Sequence, residues 1–510
     1  MRSTGIVLNL GLKSIRAIAF DNSGRKLAFS ARPVGTLLRG ERIEQDPEEW
    51  WSKAQDVLRE VAEETSPDHA FLTITASSAC LVAISESGKS LRRAVMVSDR
   101  RASAQAERLA GLTEFAAVCA SNPSLSPDPY YLLPKAMWIA EEEPEVMRET
   151  RWLLTPADYL GYMLTGECGT DPLNAEKFYF DAVSNSYPYE LVSAAGIDER
   201  CLPAVLPMGE RLGCLREPAA RSVGLRKSLP VVISTYDAIC AFWGSGVSEP
   251  GDVADVSGTV TSIRMLSDRP MSQGETRVFS QSMPGTEHFV VGGSNNLGGG
   301  LVEWLKQSFY PQTANPYDAI LSDAAESGTG ARGVIFLPYL LGERCPLWDA
   351  HARGVFFGLE RHHERCDFAR AVCESAAFSV ENVLQVLRGH GARPNRLRVS
   401  GGLARLGLIN EIKADVTGLP TEVVAEFETT AIGAMMIAGT GCGWFDSLSQ
   451  ATEVVRIREI IVPDRTRHEV YGEWFGLYQR LYGALRESFV ERTAIAQKVG
   501  LGGVGRLENL

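Results

Sequence analysis

Two apolar strands that each run into a glycine turn and straight on into a second apolar strand limit most what this chain can fold into. The first is GIVLNLGLKSIRAIAF, residues 5–20, and the second is DVADVSGTVTSIRML, residues 252–266. A strand–turn–strand theme that returns after some 250 residues is a partial internal repeat, and it predicts a duplicated lobe. The length of 510 residues agrees, because one hydrophobic core seldom grows that far. The boundary is expected between residues 245 and 246, giving domains 1–245 and 246–510.

The segments around the repeat read as α/β. Asp21-Asn22-Ser23-Gly24 is a hairpin turn. Asp46 caps a helix that starts with Pro47, with Glu48 and Glu49 at its positive end and Trp50, Val57, Leu58 and Val61 on its apolar face. FLTITAS and CLVAIS are short buried-type strands, and 100–165 is mainly helical. PVVISTYD is a strand that opens the apolar helix AICAFWGSG. Further helices are expected at 366–389, at 407–418 and from about 465, with a strand at RLRVSGG.

The formal charge of −12 makes the chain a poor general partner for nucleic acid or an anionic membrane. The ten cysteines form no CxxC pair and several sit in apolar runs, which suits buried free thiols in a reducing compartment. No apolar run approaches the roughly 20 residues of a membrane helix. The opening residues make a better strand than a signal peptide. A cytoplasmic location is therefore expected.

Three glycine turns follow apolar strands: Leu10-Gly11-Leu12-Lys13-Ser14, Ser257-Gly258-Thr259 and Ser400-Gly401-Gly402. Glycine there lets backbone N–H groups approach a phosphate, and Ser, Thr or Lys adds donors. One such turn says little, but two in equivalent places of a repeat favour a nucleotide cleft. Neither a Walker P-loop nor a GxGxxG after the first strand is present. Asp237, at a strand end, is either a helix N-cap or a carboxylate able to take a hydroxyl proton during phosphoryl transfer.

EQDPEEWW (44–51), SDRRA (98–102), PKAMWIAEEEPE (134–145), DYLGYMLTGE (158–167), FLPYLLGERCPLWDAHARGVFFGL (336–359), RAVCESAAFSVEN (370–382), VSGGLA (399–404) and KADVTGLP (413–420) stand in an order and spacing similar to those of one family. The chain resembles the FGGY carbohydrate kinases, which include xylulokinase, glycerol kinase and ribulokinase, over almost its whole length. The resemblance implies two ribonuclease-H-like domains of the actin and hexokinase type around a nucleotide cleft. It also implies ATP and Mg2+, and a small sugar or polyol as partner. Homodimerisation is left open.

The resemblance makes Asp237 the catalytic base. The family's first turn reads D-x-G-T-T/S-S-x-R. Gly11, Ser14 and Arg16 match it, whereas Asn9, Leu12 and Lys13 depart. Asn9 and Asp237 are the expected outer-sphere contacts of the metal, and Lys13 a cation beside the phosphates. Gly258-Thr259 matches the second phosphate loop, with Val260 departing. Gly299 and Glu303 lie in the segment near ribose and adenine, with neighbouring Trp304 read as core, and Gly401 and Gly402 lie at the α-phosphate. On the sugar side, Ser78-Ala79 replaces the Met-His pair of xylulokinases. Asp99 ends a segment like the family's W-x-D-x-R, Tyr130 stands where glycerol kinases place a pocket tyrosine, and Asp237 completes the set. The expected reaction is phosphorylation of a hydroxyl of a ketose or polyol, closest to xylulokinase and thus to xylose metabolism. A kinase for another polyol, sugar or sugar acid, or a nucleotide-binding regulator with reduced catalysis, are the alternatives.

Overall fold

The computed structural model describes residues 4–40, 42–121, 125–271 and 275–499. The chain divides into two compact units: Met1–Gly246 with Met283–Glu287 and Glu428–Val455, and Val247–Ser282 with His288–Phe427 and Arg456–Leu510.

The first unit is built on a six-stranded sheet of β1 (Thr4–Leu10), β2 (Ser14–Asp21), β3 (Lys26–Pro33), β4 (His69–Ala76), β5 (Arg211–Cys214) and β6 (Pro230–Ile233), in the order β5-β6-β4-β1-β2-β3. β1 runs antiparallel to β2 and parallel to β4, and β4 is parallel to β6. β1 is buried along its whole length, as its unbroken apolar run requires. The turn into β3 is held by the Asp21 carboxylate, which accepts from Ser23 N and Arg25 N. Helix Pro47–Glu64 starts as expected: Asp46 accepts from Glu48 N, and Trp50, Val57, Leu58 and Val61 pack into the core with Ile6 and Leu8.

The second unit repeats this scheme. Its sheet contains β7 (Asp252–Ser257), β8 (Thr261–Ser267), β9 (Phe279–Ser282), β10 (Phe289–Asn295), β11 (Arg396–Ser400), β12 (Thr421–Val424) and β13 (Ile457–Ile461), in the order β9-β10-β8-β7-β11-β12-β13. β7 is antiparallel to β8 and parallel to β11, and β11 is parallel to β12. Three antiparallel strands followed by two parallel ones therefore occur twice: the duplicated lobe expected from the repeated turn, in the ribonuclease-H-like arrangement that the resemblance implies. Helices Arg365–Gly389 and Gly407–Thr417 supply much of the cover, with Val380 and Leu384 packing on Val253, Leu397 and Val399.

The return of Glu428–Val455 to the first unit has a steric cause. Helix Thr429–Gly441 crosses helix Asp237–Gly244 with backbones in contact. A Cβ on Gly244 would lie 1.8 Å from Thr429 O, and one on Gly433 would lie 1.8 Å from Cys240 O. Only glycine permits that approach. The sequence boundary between 245 and 246 does not include this return.

Candidate functional site

In the first unit, Asp237 is the first residue of helix Asp237–Gly244, and Tyr236 occupies the cap position with extended backbone. Asp237 is thus at the first helical position rather than at the cap. Its carboxylate accepts from Ser77 Oγ at 3.2 Å. The approach to Asp237 is tied down from both sides. Thr235 Oγ1 donates to Asp171 at 2.7 Å, Thr75 Oγ1 donates to Thr235 O at 2.8 Å, and Ser234 Oγ donates to Ile74 O. Ser77 also links Asp237 to the first turn, since its N–H donates to Leu10 O. The strand register places Asn9 beside Thr75 and Leu10 beside Ala76, so the end of β1, the end of β4 and Asp237 form one group.

Asn9 is buried, with 6 % of its surface exposed. Lys13 and Leu12 are exposed on the turn, and Gly11 N donates to Ser14 O. Arg16 is engaged on the protein: it donates to Ser14 Oγ at 3.1 Å and pairs with Glu428 at 2.9 Å.

The expected sugar-side residues separate. Ser78 Oγ is buried without a hydrogen-bond partner, an unsatisfied hydroxyl of the kind that a polar ligand completes. Ala79 adopts φ 58°, and its carbonyl accepts from Lys135 Nζ at 2.6 Å. Lys135 also donates to Met96 O, and burial lowers its ammonium to about 8. This lysine therefore holds the strained Ala79 turn in place. Asp99 is fully buried, and its two oxygens serve Arg101 and Ile43 N. Those bonds make it a brace of the 99–101 turn, whose Arg101 lies 4.8 Å over the Trp138 ring. Tyr130 is 36 % exposed, whereas Tyr131 is stacked on Tyr179 at 4.8 Å. Lys177 Nζ lies 5.4 Å from the Tyr131 ring and 5.6 Å from that of Tyr236, next to the base. Ser77, Tyr131 and Lys177 thus join the candidate site. The serine pair at the end of FLTITASS was the available signal for Ser77; nothing local distinguishes Tyr131 from Tyr130.

Asp158 and Asp171 line a small cavity behind β6. Burial raises the Asp158 carboxyl to about 7 and also raises Asp171. Asp158 closes a capping box with Thr155, and Asp171 holds Thr235 and the turn at Asn174, so both act on the support of Asp237.

In the second unit the expected turns gather at the carboxyl ends of β7 and β11. Gly401, at φ 83°, lies against Ser257, where a Cβ would meet Ser257 O at 2.6 Å. Gly298 N and Gly300 N donate to Thr259 O, and Gly299 N donates to Gly258 O. Gly299 is therefore packed on the second turn. Glu303 accepts from Tyr317 OH and pairs with Lys306, and Trp304 stacks on Phe336 at 5.6 Å as part of the core. Beneath the turn, Lys413 and Asp255 form a fully buried ion pair, and Ser257 Oγ donates to Asp255.

Gly11, Gly258 and Gly402 differ from these packed glycines. A Cβ on Gly11 would meet only Ser14 O at 3.6 Å, one on Gly258 only Val260 O at 4.0 Å, and one on Gly402 nothing within 4 Å. Packing does not require glycine there. Their open surroundings leave room for a ligand to approach the backbone.

Residues 5–244 match the FGGY family of carbohydrate kinases, N-terminal domain, and residues 254–442 match its C-terminal domain. The chain belongs to the FGGY family of carbohydrate kinases. A xylulose kinase of Staphylococcus epidermidis is 26% identical over 489 residues, covering 93% of this chain and 95% of that one. Among solved structures, the xylulose kinase of Rhodospirillum rubrum superposes with a TM-score of 0.86 at 28% identity, covering 95% of this chain and 99% of that one. The gluconate kinase of Lactobacillus acidophilus superposes with a TM-score of 0.88 at 21% identity, over 96% and 100% of the two chains, and shares the fold. This FGGY protein is thus a two-domain carbohydrate kinase. No helix among its described residues is long and apolar enough to cross a membrane.

The glycine geometry separates binding from folding in this FGGY kinase. Gly402→Ala is expected to leave stability within about 0.5 kcal/mol, as at open surface positions, while raising KM for ATP. Gly433→Ala is expected to lose more than about 4 kcal/mol, because its Cβ meets backbone. Thermal melts and ATP titrations of the two variants check the contrast.

Proposed function

We propose that the protein transfers the γ-phosphoryl group of ATP to a terminal hydroxyl of a ketose, with a pentulose such as xylulose as the preferred acceptor. Asp237 carries this reading: a carboxylate at the first position of a helix, held by Ser77 Oγ beside the end of β1 and the first turn. It takes the proton as the hydroxyl oxygen bonds to phosphorus and the bond to the ADP oxygen breaks. Ser78, Tyr131 and Lys177 line the acceptor pocket. Gly11, Ser14 and Lys13 serve the transferred phosphate, Gly258 and Thr259 the phosphate chain, and Gly402 the α-phosphate. Glu303 and the Gly299 segment lie nearest the nucleoside, and Gly401 shapes the Gly402 turn. Asp99, Lys135 and Ala79 shape the pocket wall. Positioning and charge neutralisation supply most of the rate. The proposed setting is the cytoplasm.

Asn9 and Asp237 offer an amide and a carboxylate oxygen at neighbouring strand and helix ends, a donor set that suits outer-sphere contact with hydrated Mg2+. When bound, the ion neutralises phosphate charge. Asn9 lacks the charge of an aspartate, so Asn9→Asp should lower the magnesium concentration that gives half-maximal rate. A magnesium titration at saturating ATP checks this, and an unchanged midpoint with intact activity removes Asn9 from the metal shell.

The acceptor is tested by kcat/KM across D-xylulose, D-ribulose, D-fructose, gluconate and glycerol. The pentulose reading predicts the highest value for D-xylulose. A preference for gluconate or glycerol by tenfold or more overturns it.

A further inference from the structure

The second unit contains a cavity of about 190 Å3 remote in sequence from the glycine turns, lined by parts of helices Arg365–Gly389 and Arg465–Lys498 and by the loop at Pro346-Leu347. Its wall includes three tyrosines, Tyr339, Tyr478 and Tyr482. Their hydroxyls are already engaged: Tyr339 OH donates to Tyr478 OH at 2.8 Å, and Tyr482 OH donates to Asp349 at 3.0 Å. Tyr339 and Tyr478 are each only 1 % exposed, so the ring surface offered to a ligand is that of Tyr482, together with the exposed Trp348 that follows wall residue Leu347.

The polar part of the wall is amide. Gln479 Nε2 donates to Asn382 Oδ1 at 3.2 Å and to Gln385 Oε1. Those bonds leave the Gln479 carbonyl and the amino groups of Asn382 and Gln385 as an acceptor and donors for a ligand. The one charged wall residue, Arg277, is neutralised by a two-pronged pair with Glu275, whose carboxyl is held at about 2 by that guanidinium. The lining therefore carries no net call for an ion. Aromatic faces with uncharged hydrogen-bonding groups match a small, neutral polyhydroxyl ring, whose C–H faces pack on aromatics while its hydroxyls pair with amides.

Trp348 adds an independent observation. It follows Leu347 in the wall, its indole N–H donates to Arg277 O at 3.0 Å, and 57 % of its surface is exposed. Its φ is 49°. For a bulky residue that backbone is a true outlier, and such strain persists where surroundings or ligand function over-determine it. Trp348 is thus an exposed aromatic ring with an uncommon backbone, held next to the cavity wall by its bond to Arg277 O.

We propose that this cavity is a second carbohydrate site, which binds a neutral monosaccharide or polyol without phosphorylating it. Nothing in the reaction requires it, and its occupancy does not depend on the acceptor reading above.

Calorimetric titration of full-length Asp237→Asn with D-xylulose, D-xylose, D-glucose and xylitol tests the site. The expected result is two classes of sites for at least one of these sugars. Gln479→Ala should weaken one class by about tenfold, the loss of one or two hydrogen bonds, and leave the other unchanged. Trp348→Gly should weaken the same class while keeping or raising Tm, because glycine adopts that φ freely. Binding that is lost at Asp237's pocket but retained and Gln479-dependent would uphold this site while removing the acceptor reading. A single class, or two classes that neither substitution alters, overturns the second site. So does a Trp348→Gly variant whose lost binding is accompanied by a lowered Tm.

Discussion

Asp237→Asn should reduce kcat by roughly 10²–10⁴-fold, the range for removing a general base, while KM for ATP and Tm stay near their parent values. The separation follows from the local bonding. The asparagine side chain still presents an oxygen to Ser77 Oγ, so the link between the base and the end of β4 survives. The cap position of helix Asp237–Gly244 is Tyr236, which the substitution leaves in place. The first turn and the second unit's turns are untouched, so at saturating magnesium nucleotide affinity should stay near its parent value. Steady-state kinetics and a melt on the same preparation check all three. Turnover within a factor of a few of the parent would remove Asp237 from the base role, and a lower Tm would assign it a structural one.

Lys413→Met should destabilise the second unit by about 3–5 kcal/mol, the penalty for leaving one member of a buried pair unpartnered. Lys413 is 1 % exposed and Asp255 is fully buried. The ammonium also donates to Ser257 Oγ at 3.3 Å, and that hydroxyl lies 3.0 Å from Thr261 Oγ1. The pair thus sits directly under the Gly258-Thr259 turn and fixes both of its ends. Loss of the lysine leaves a buried carboxylate whose cheapest relief is movement of β7, so ATP affinity should fall together with stability. Replacing both partners, Asp255→Leu with Lys413→Met, should recover much of the stability, since a well-packed apolar pair is often as good as a buried ionic one. It should not recover ATP affinity if Ser257 needs its carboxylate acceptor. Denaturant unfolding of the two variants measures the first effect and nucleotide titration the second.

Much of the scaffold was legible in the sequence for a simple reason. Strands β1 and β7 are buried along nearly their whole length, so they read as largely apolar segments that end in a glycine turn, and this signal appears twice. Helix Pro47–Glu64 announces itself through Asp46, Pro47 and its apolar spacing. The return of 428–455 to the first unit was not legible. TTAIGAMMIAGTG reads as any apolar helix, and the role of Gly433 exists only once Cys240 O is brought against it.

The site divides in the same way. Asp237 stands out because a carboxylate ends an apolar strand, yet only the structure places it one residue past the cap position, which Tyr236 holds, and against Ser77. Gly299, Gly401 and Gly402 look alike as letters. Only the packing around them shows that the first two are required by the fold and the third is open. Tyr130 and Tyr131 are adjacent, and Lys177 comes from a distant turn, so their grouping depends on tertiary structure. Asp99 reads as a pocket acid, but Arg101 two residues on and Ile43 N from another segment take both its oxygens.

The most direct measurement is the transfer of γ-labelled phosphate from ATP to D-xylulose, with the product identified by mass and by phosphorus NMR. This account predicts one sugar phosphate per ADP formed, a product phosphorylated at a terminal carbon, and loss of product formation in Asp237→Asn with ATP still bound. Retained nucleotide binding with no labelled product from D-xylulose or from any sugar, sugar acid or polyol in the panel would contradict it.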